Sequence, residues 1–278
     1  MTRRMTRPET LADAGFGALT AKIARERGFA CGNYKESCLK RRIAVRMRAR
    51  GVHRYADYAA VLDGDAAEYE KLLDALTINV TKLWRNPETW NAVERVVAPA
   101  LLARTDRPLR VWSAGCASGE EPYSIAMAFL NAAATMGDPA RARRVQVVGT
   151  DIDARSLDAA RAASYDEAAF TDLPAGMRDR WFEPGSPARV AAAARALVTV
   201  ERRDLLEQAP PPGPWHLIVC RNVIIYFDRA SQERLFHQFH DALVAGGFLV
   251  LGKVETLLGE TRTLFTTVDS RERIFTRS

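Results

Sequence analysis

At 278 residues, with hydrophobic residues at 47% and charged residues at 27%, the chain has an ordinary globular composition and room for one large α/β domain plus a smaller companion. No stretch approaches the roughly 20 apolar residues of a membrane helix, and the N-terminal arginines have no apolar run behind them, so a cytoplasmic protein without a span is expected. The net charge of +6 is uneven: residues 1 to 60 hold 14 Lys and Arg against 5 Asp and Glu, a net of +9, and the remainder carries −3. Such a split points to an acidic partner for the N-terminal part.

From Leu11 to about Leu76 apolar residues recur at helical spacing, broken only at Gly28, Gly32, Gly51 and Gly64, which predicts a small all-helical domain over residues 1–80. Within it, Leu39, Ile43 and Met47 fall at i, i+4 and i+8, and Arg42, Arg46 and Arg50 form a cationic stripe beside them. A linker over residues 81–92 contains Asn86-Pro87. From residue 93 onward a second domain is expected, with strands near Leu109–Ser113, Val145–Thr150, Trp215–Cys220 and Phe248–Leu251 alternating with helices from Pro122, about Arg155 and Arg229, the last behind an N-cap at Asp228. Residues 165–203, rich in Pro and Gly, read as an inserted subdomain with short antiparallel strands such as Leu197–Glu201. Leu264–Val268 and Arg273–Thr276 read as a closing hairpin. Cys31, Cys38, Cys116 and Cys220 form no C-x-x-C pair, so reduced and mostly buried thiols are expected, with neither a disulfide framework nor a metal site.

The chemistry concentrates where strands end. The first strand runs into Gly115-Cys116-Ala117-Ser118-Gly119-Glu120-Glu121, where glycines let the backbone approach a ligand beyond the carboxyl end of the sheet. The spacing lacks both the G-x-G-x-x-G dinucleotide pattern and the Lys of a P-loop. Two carboxylates here would repel a pyrophosphate, yet would accept hydrogen bonds from an ammonium, which suits S-adenosylmethionine. The next strand ends in Thr150-Asp151-Ile152-Asp153, with Asp151 placed to accept from ribose hydroxyls and Asp153 to cap the following helix. A third strand ends in Cys220-Arg221-Asn222-Val223, without the Pro-Pro-aromatic continuation of nucleobase amino-methyltransferases.

Over nearly its whole length the chain resembles the chemotaxis receptor methyltransferases of the CheR family. The matching blocks are TINVTKLWRNP from Thr77, VWSAGCASGEEPYSIAM from Val111, GTDID from Gly149, CRNVIIYFD from Cys220 and GGFLVLGKVETL from Gly246. The resemblance implies a class I, Rossmann-like methyltransferase fold: a mainly parallel sheet with a terminal antiparallel hairpin, preceded by an all-α domain and carrying a small antiparallel β-subdomain. It implies methylation of receptor glutamates with S-adenosylmethionine as cofactor and S-adenosylhomocysteine as product. Asn79, Thr81, Arg85, Gly115, Glu120, Asp151, Asp204, Leu205, Asn222 and Val223 then correspond to cofactor contacts, with the linker contributing to that site, and Arg85 and Tyr226 to residues that position the acceptor carboxylate. Arg42 and Arg46 become candidates for docking the cytoplasmic helical domain of a methyl-accepting receptor. A monomer without nucleic-acid binding is expected. The chain departs from the family pattern at Leu83-Trp84, where paired Phe is usual, at Asp204, where Asn is usual, and at Lys253-Val254, where His-Ser is common. The basic N-terminal region leaves a nucleic-acid methyltransferase as one competing reading, against which the missing Pro-Pro continuation counts, and Lys253-Val254 leave a cofactor-sensing adaptor as another.

Overall fold

The computed structural model describes residues 15–77, 80–104 and 108–278. By its contacts the chain divides into two units, Met1–Ile78 with Tyr226–Asp228, and Asn79–Ile225 with Arg229–Ser278.

The first unit is built from helices α1 (Phe16–Arg27), α2 (Glu36–Ala49), α3 (Tyr55–Gly64) and α4 (Ala66–Thr77). Their buried residues follow the expected spacing: Leu19 and Ile23 in α1, Leu39, Ile43 and Met47 in α2, Tyr58 and Leu62 in α3, Leu72 and Leu76 in α4. Each such side chain contributes about 1.5–3 kcal/mol through burial. Gly28 stops α1 in the left-handed conformation and returns its N–H to the Ala24 carbonyl. The segment Tyr226–Asp228 joins this unit through an isolated antiparallel bridge between Tyr34 and Phe227. The Lys35 N–H donates to the Tyr226 carbonyl at 2.9 Å, the Asp228 N–H donates to the Asn33 carbonyl at 2.9 Å, and the Tyr34 and Phe227 rings meet edge to face.

The second unit begins with α5 (Pro87–Ala92), a π-helical turn (Val93–Val97) and α6 (Ala98–Leu102). Strand β1 (Leu109–Ala114) leads into α7 (Glu120–Thr135), and β2 (Val145–Asp151) into α8 (Ala154–Ala162). A small antiparallel sheet follows, made of β3 (Ser164–Tyr165), β4 (Phe182–Glu183, behind α9 at Met177–Trp181) and β5 (Ala188–Val190). After α10 (Ala192–Arg195) come β6 (Val198–Arg202), β7 (Trp215–Cys220), α11 (Arg229–Ala242), β8 (Leu243–Leu251), β9 (Phe265–Asp269) and β10 (Ile274–Arg277).

The large sheet has the order β6-β2-β1-β7-β8-β10-β9, parallel through β8 and closed by the antiparallel β9/β10 hairpin. The fold class is therefore the one the sequence leads one to expect. Val111 lies level with Val147 and Leu217, which puts these residues on one face, in a core shared with Leu101, Ile125 and Phe129. Trp112, on the other face, meets Phe239 of α11 edge-on at 5.4 Å. Burial on both faces is why β7 reads as a nearly continuous apolar run.

One expectation is corrected. The strand expected at Leu197–Glu201 is β6, and it belongs to the large sheet, parallel to β2 with Gly149 level with Val200, rather than to the antiparallel subdomain. As an edge strand it is only partly buried along its length, so it carries the half-exposed pattern that otherwise marks an antiparallel strand. The small sheet is thus an insertion within the crossover from β2 to β6. Among the described residues, no helix is long and apolar enough to cross a membrane.

Candidate functional site

Two glycines shape the turn between β1 and α7. Gly115 sits at φ +80°, and a Cβ there would fall 2.5 Å from Cγ2 of Val223. Gly119 sits at φ +95°, and its Cβ would meet Ala160 Cβ and Tyr165 Oη, each at 2.8 Å. Both the left-handed backbone and the close approach demand glycine. The N–H groups of Gly115 and Cys116 both donate to the Thr150 carbonyl, at 2.8 and 2.9 Å, which ties the turn to the end of β2.

Three acids crowd this corner. Glu120, the first residue of α7, is only 6% exposed and accepts a 2.7 Å bond from Ser118 Oγ. Asp151, the last residue of β2, is 9% exposed; its Oδ2 accepts from the Ala117 N–H at 2.8 Å and its Oδ1 from the Asp153 N–H at 3.0 Å. Burial raises the pKa of both, and among the described residues no cationic side chain pairs with either. Glu121 is also buried, bonded by Ser113 Oγ at 2.8 Å and 3.9 Å from Arg221; burial pushes its pKa up to about 7 against the pull of that arginine. Asp153 caps α8 as expected, accepting from the Arg155 N–H at 3.0 Å and Ser156 Oγ at 2.7 Å.

Beyond β7, Arg221 is buried and donates Nη2 to the Arg85 carbonyl (2.8 Å) and to Asn86 Oδ1 (2.9 Å), with its guanidinium 5.1 Å from the Trp90 ring centre. Asn222 adopts φ +62°, an uncommon conformation for a non-glycine residue, and its Oδ1 is buried with no partner among the described residues. Its N–H and that of Val223 donate to the carboxylate of Glu255, at 3.0 and 2.9 Å. Gly115, Glu120, Asp151, Asn222 and Val223 therefore lie together along the carboxyl ends of β1, β2 and β7.

The remaining predicted residues are placed as follows. Thr81 is half-buried, and Arg85 donates Nη1 to the Val80 carbonyl at 2.9 Å. Asp204 turns its Oδ1 onto the N–H groups of Leu206 and Glu207, at 2.9 and 3.2 Å, so one carboxylate oxygen caps its own turn; Leu205 is half-buried beside it. Asn79 lies outside the described residues. Tyr226 belongs to the helical unit, where the Arg42 guanidinium stands 5.7 Å from its ring centre. Arg42 also donates to the Ala75 carbonyl at 2.8 Å, and Arg46 grips Glu68 through two bonds. The two arginines expected to dock a receptor are thus engaged within their own unit, because their helix face turns toward α4. Arg221 and Glu255 were not assigned site roles from sequence; the only signal for Arg221 was a charged residue just after an otherwise apolar strand, and Glu255, in the loop after β8, carried none.

The donor set fits S-adenosylmethionine. Two buried carboxylates without cationic partners, each oxygen retaining acceptor capacity, suit an ammonium and ribose hydroxyls. Asn222 Oδ1 supplies a buried acceptor with no partner among the described residues. Residues 79–274 match the CheR methyltransferase SAM binding domain, and residues 14–77 match the CheR methyltransferase all-alpha domain. The chain is 32% identical to a chemotaxis protein methyltransferase of Listeria monocytogenes, over 86% of this chain and 88% of that protein. It is 32% identical to another of Klebsiella aerogenes, over 92% and 87%. It is also 33% identical to an uncharacterized 104.1 kDa protein of Rhodobacter capsulatus over 87% of this chain, which spans only 25% of that protein. Matched through both of its domains and across this cofactor-fitting corner, the chain belongs to the CheR methyltransferase family.

Proposed function

We propose that the protein transfers the methyl group of S-adenosylmethionine to glutamate side chains on the cytoplasmic helical domain of methyl-accepting chemotaxis receptors, forming γ-glutamyl methyl esters and S-adenosylhomocysteine. The observation that carries this reading is the pair Glu120 and Asp151, buried carboxylates flanking the Gly115 turn with no cationic partner among the described residues.

When bound, S-adenosylmethionine supplies an electrophilic methyl on a sulfonium. The acceptor carboxyl, with an ordinary pKa near about 4.3, is already anionic at neutral pH, so no general base is required. The task of the protein is orientation and exclusion of water. Glu120 and Asp151 hold the cofactor by accepting its N–H and O–H donors, and Asn222 Oδ1 adds an acceptor. Arg85 meets the acceptor carboxylate with a charge-assisted bond and Tyr226 donates its hydroxyl.

Receptor docking falls to the exposed side of α2. Arg41, Val45 and Arg48 are exposed at i, i+4 and i+7 and present a basic, partly apolar stripe to a glutamate-bearing helix. The protein acts in the cytoplasm as a monomer. Incubation with tritiated S-adenosylmethionine and receptor cytoplasmic fragments tests the reading. Alkali-labile methyl on receptor glutamate is expected; base-stable label, or label on nucleic acid, would sink it.

A further inference from the structure

The carboxylate of Glu255 gathers four backbone N–H groups from two different strand ends. Oε1 accepts from Val223 (2.9 Å) and Ile225 (3.3 Å), and Oε2 accepts from Asn222 (3.0 Å) and Gly252 (2.6 Å). Asn222, Val223 and Ile225 follow β7, and Gly252 follows β8. The side chain is 3% exposed, and the partial positive charges of converging amides take the place of a cation. Gly252 is glycine because a Cβ there would lie 2.6 Å from Glu255 Oε2 and 2.9 Å from the Asn222 nitrogen.

Without this carboxylate, the loop would leave several buried donors unmet, each costing about 1–3 kcal/mol. Nothing else among the hydrogen bonds described holds the Asn222 and Val223 amides. Two features of the cofactor corner depend on that hold: the left-handed turn at Asn222 that leaves its Oδ1 buried without a partner, and the seat of Val223 against Gly115.

We infer that Glu255 is a positioning residue for the cofactor, acting through the backbone of Asn222 and Val223 rather than by contact. The inference rests on the methyltransferase reading and names a residue that decides how well that site is formed. Glu255→Gln preserves shape but turns one oxygen into an N–H donor facing two other donors, so half of the cradle is lost.

The test is calorimetric titration of the whole protein with S-adenosylhomocysteine, beside steady-state kinetics on receptor fragments. Glu255→Gln is expected to raise the Kd roughly tenfold or more, the loss of two bonds to a charged acceptor, while the KM for receptor stays within about twofold. Phe239→Leu, a core change in α11 that lowers thermal stability, serves as the control and is expected to leave the Kd within about twofold. A Kd for Glu255→Gln as near to wild type as the control overturns the inference alone. Wild-type protein that fails to bind S-adenosylhomocysteine overturns the methyltransferase reading and this inference with it. Should Glu255→Gln not fold, amide exchange on wild type decides: Asn222 and Val223 amides protected, and slowed further by S-adenosylhomocysteine, support the role, whereas rapid exchange indifferent to the ligand overturns it.

Discussion

Arg46 holds Glu68 in a two-point grip, Nε to Oε1 at 3.0 Å and Nη2 to Oε2 at 2.6 Å, and the Tyr58 hydroxyl closes the group at 2.8 Å. The glutamate is fully buried while the arginine side chain keeps 21% exposure, so the pair pins α2 and α3 to α4. Removing the arginine leaves the buried carboxylate with the Tyr58 hydroxyl and the more distant Arg50, 3.9 Å away. Arg46→Ala should therefore destabilise the helical unit by about 2–3 kcal/mol, at the low side of a buried-pair loss because the arginine is part exposed, read as a shift in urea midpoint. A change in receptor affinity with unchanged stability would contradict this assignment.

Receptor affinity should respond instead to the outer side of the same helix. Arg41→Glu combined with Arg48→Glu is expected to weaken binding of receptor fragments several-fold at low salt, chiefly through association rate, and to leave the melting temperature nearly unchanged. The difference from wild type should shrink as salt rises, because the charges are exposed. Binding by surface resonance across a salt series checks it.

Gly115→Ala joins two costs at one position. The left-handed backbone costs about 1–2 kcal/mol for an alanine, and its methyl falls on Val223. Loss of S-adenosylhomocysteine affinity is expected to exceed the loss of stability, since Val223 must move out of the cofactor corner. Titration calorimetry beside thermal melting separates the two.

The two units should respond to pH with opposite slopes. In the methyltransferase unit, burial raises Glu120, Glu121, Asp151 and Glu255, so the folded form keeps protons that the unfolded chain releases. Its stability should fall as pH rises from the ordinary carboxylate range, about 4.3, to the value of about 7 at Glu121. In the helical unit, burial works against Glu68 ionisation, but the bonds from Arg46 and Tyr58 outweigh it and hold the pKa low. That contribution is present above the unfolded pKa and is lost as pH falls through the folded one. Hydrogen exchange followed by unit should show the methyltransferase unit losing stability as pH rises through this range, while the helical unit holds steady there and loses stability only as pH falls below the ordinary carboxylate range. Glu121→Gln should flatten the slope of the methyltransferase unit only.

Tyr226→Phe and Arg85→Ala should each reduce methyl transfer to receptor by roughly 10²-fold or more while leaving S-adenosylhomocysteine binding far less affected for Tyr226→Phe. Unchanged transfer in both variants would overturn their roles. Arg221 meets the Arg85 carbonyl rather than its side chain, so Arg85→Ala leaves that bond in place.

Much of this protein was legible from local chemistry. The apolar run Trp215–Cys220 is a strand with those bounds, Leu39, Ile43 and Met47 are the buried side of α2, and Asp153 caps α8. Each depends on residues within a turn or two of one another, where periodicity and capping act. What the sequence alone could not decide was the partner of each group. Val198–Arg202 is an edge strand whose parallel pairing is set by a crossover from β2 through an inserted sheet. Arg46 is turned inward by Glu68, 22 positions away, and Glu255 is joined to Asn222 across 33 positions. Hydrophobic spacing orders a helix or strand, but a charged side chain is assigned its task only when folding chooses its neighbour and removes the water around it.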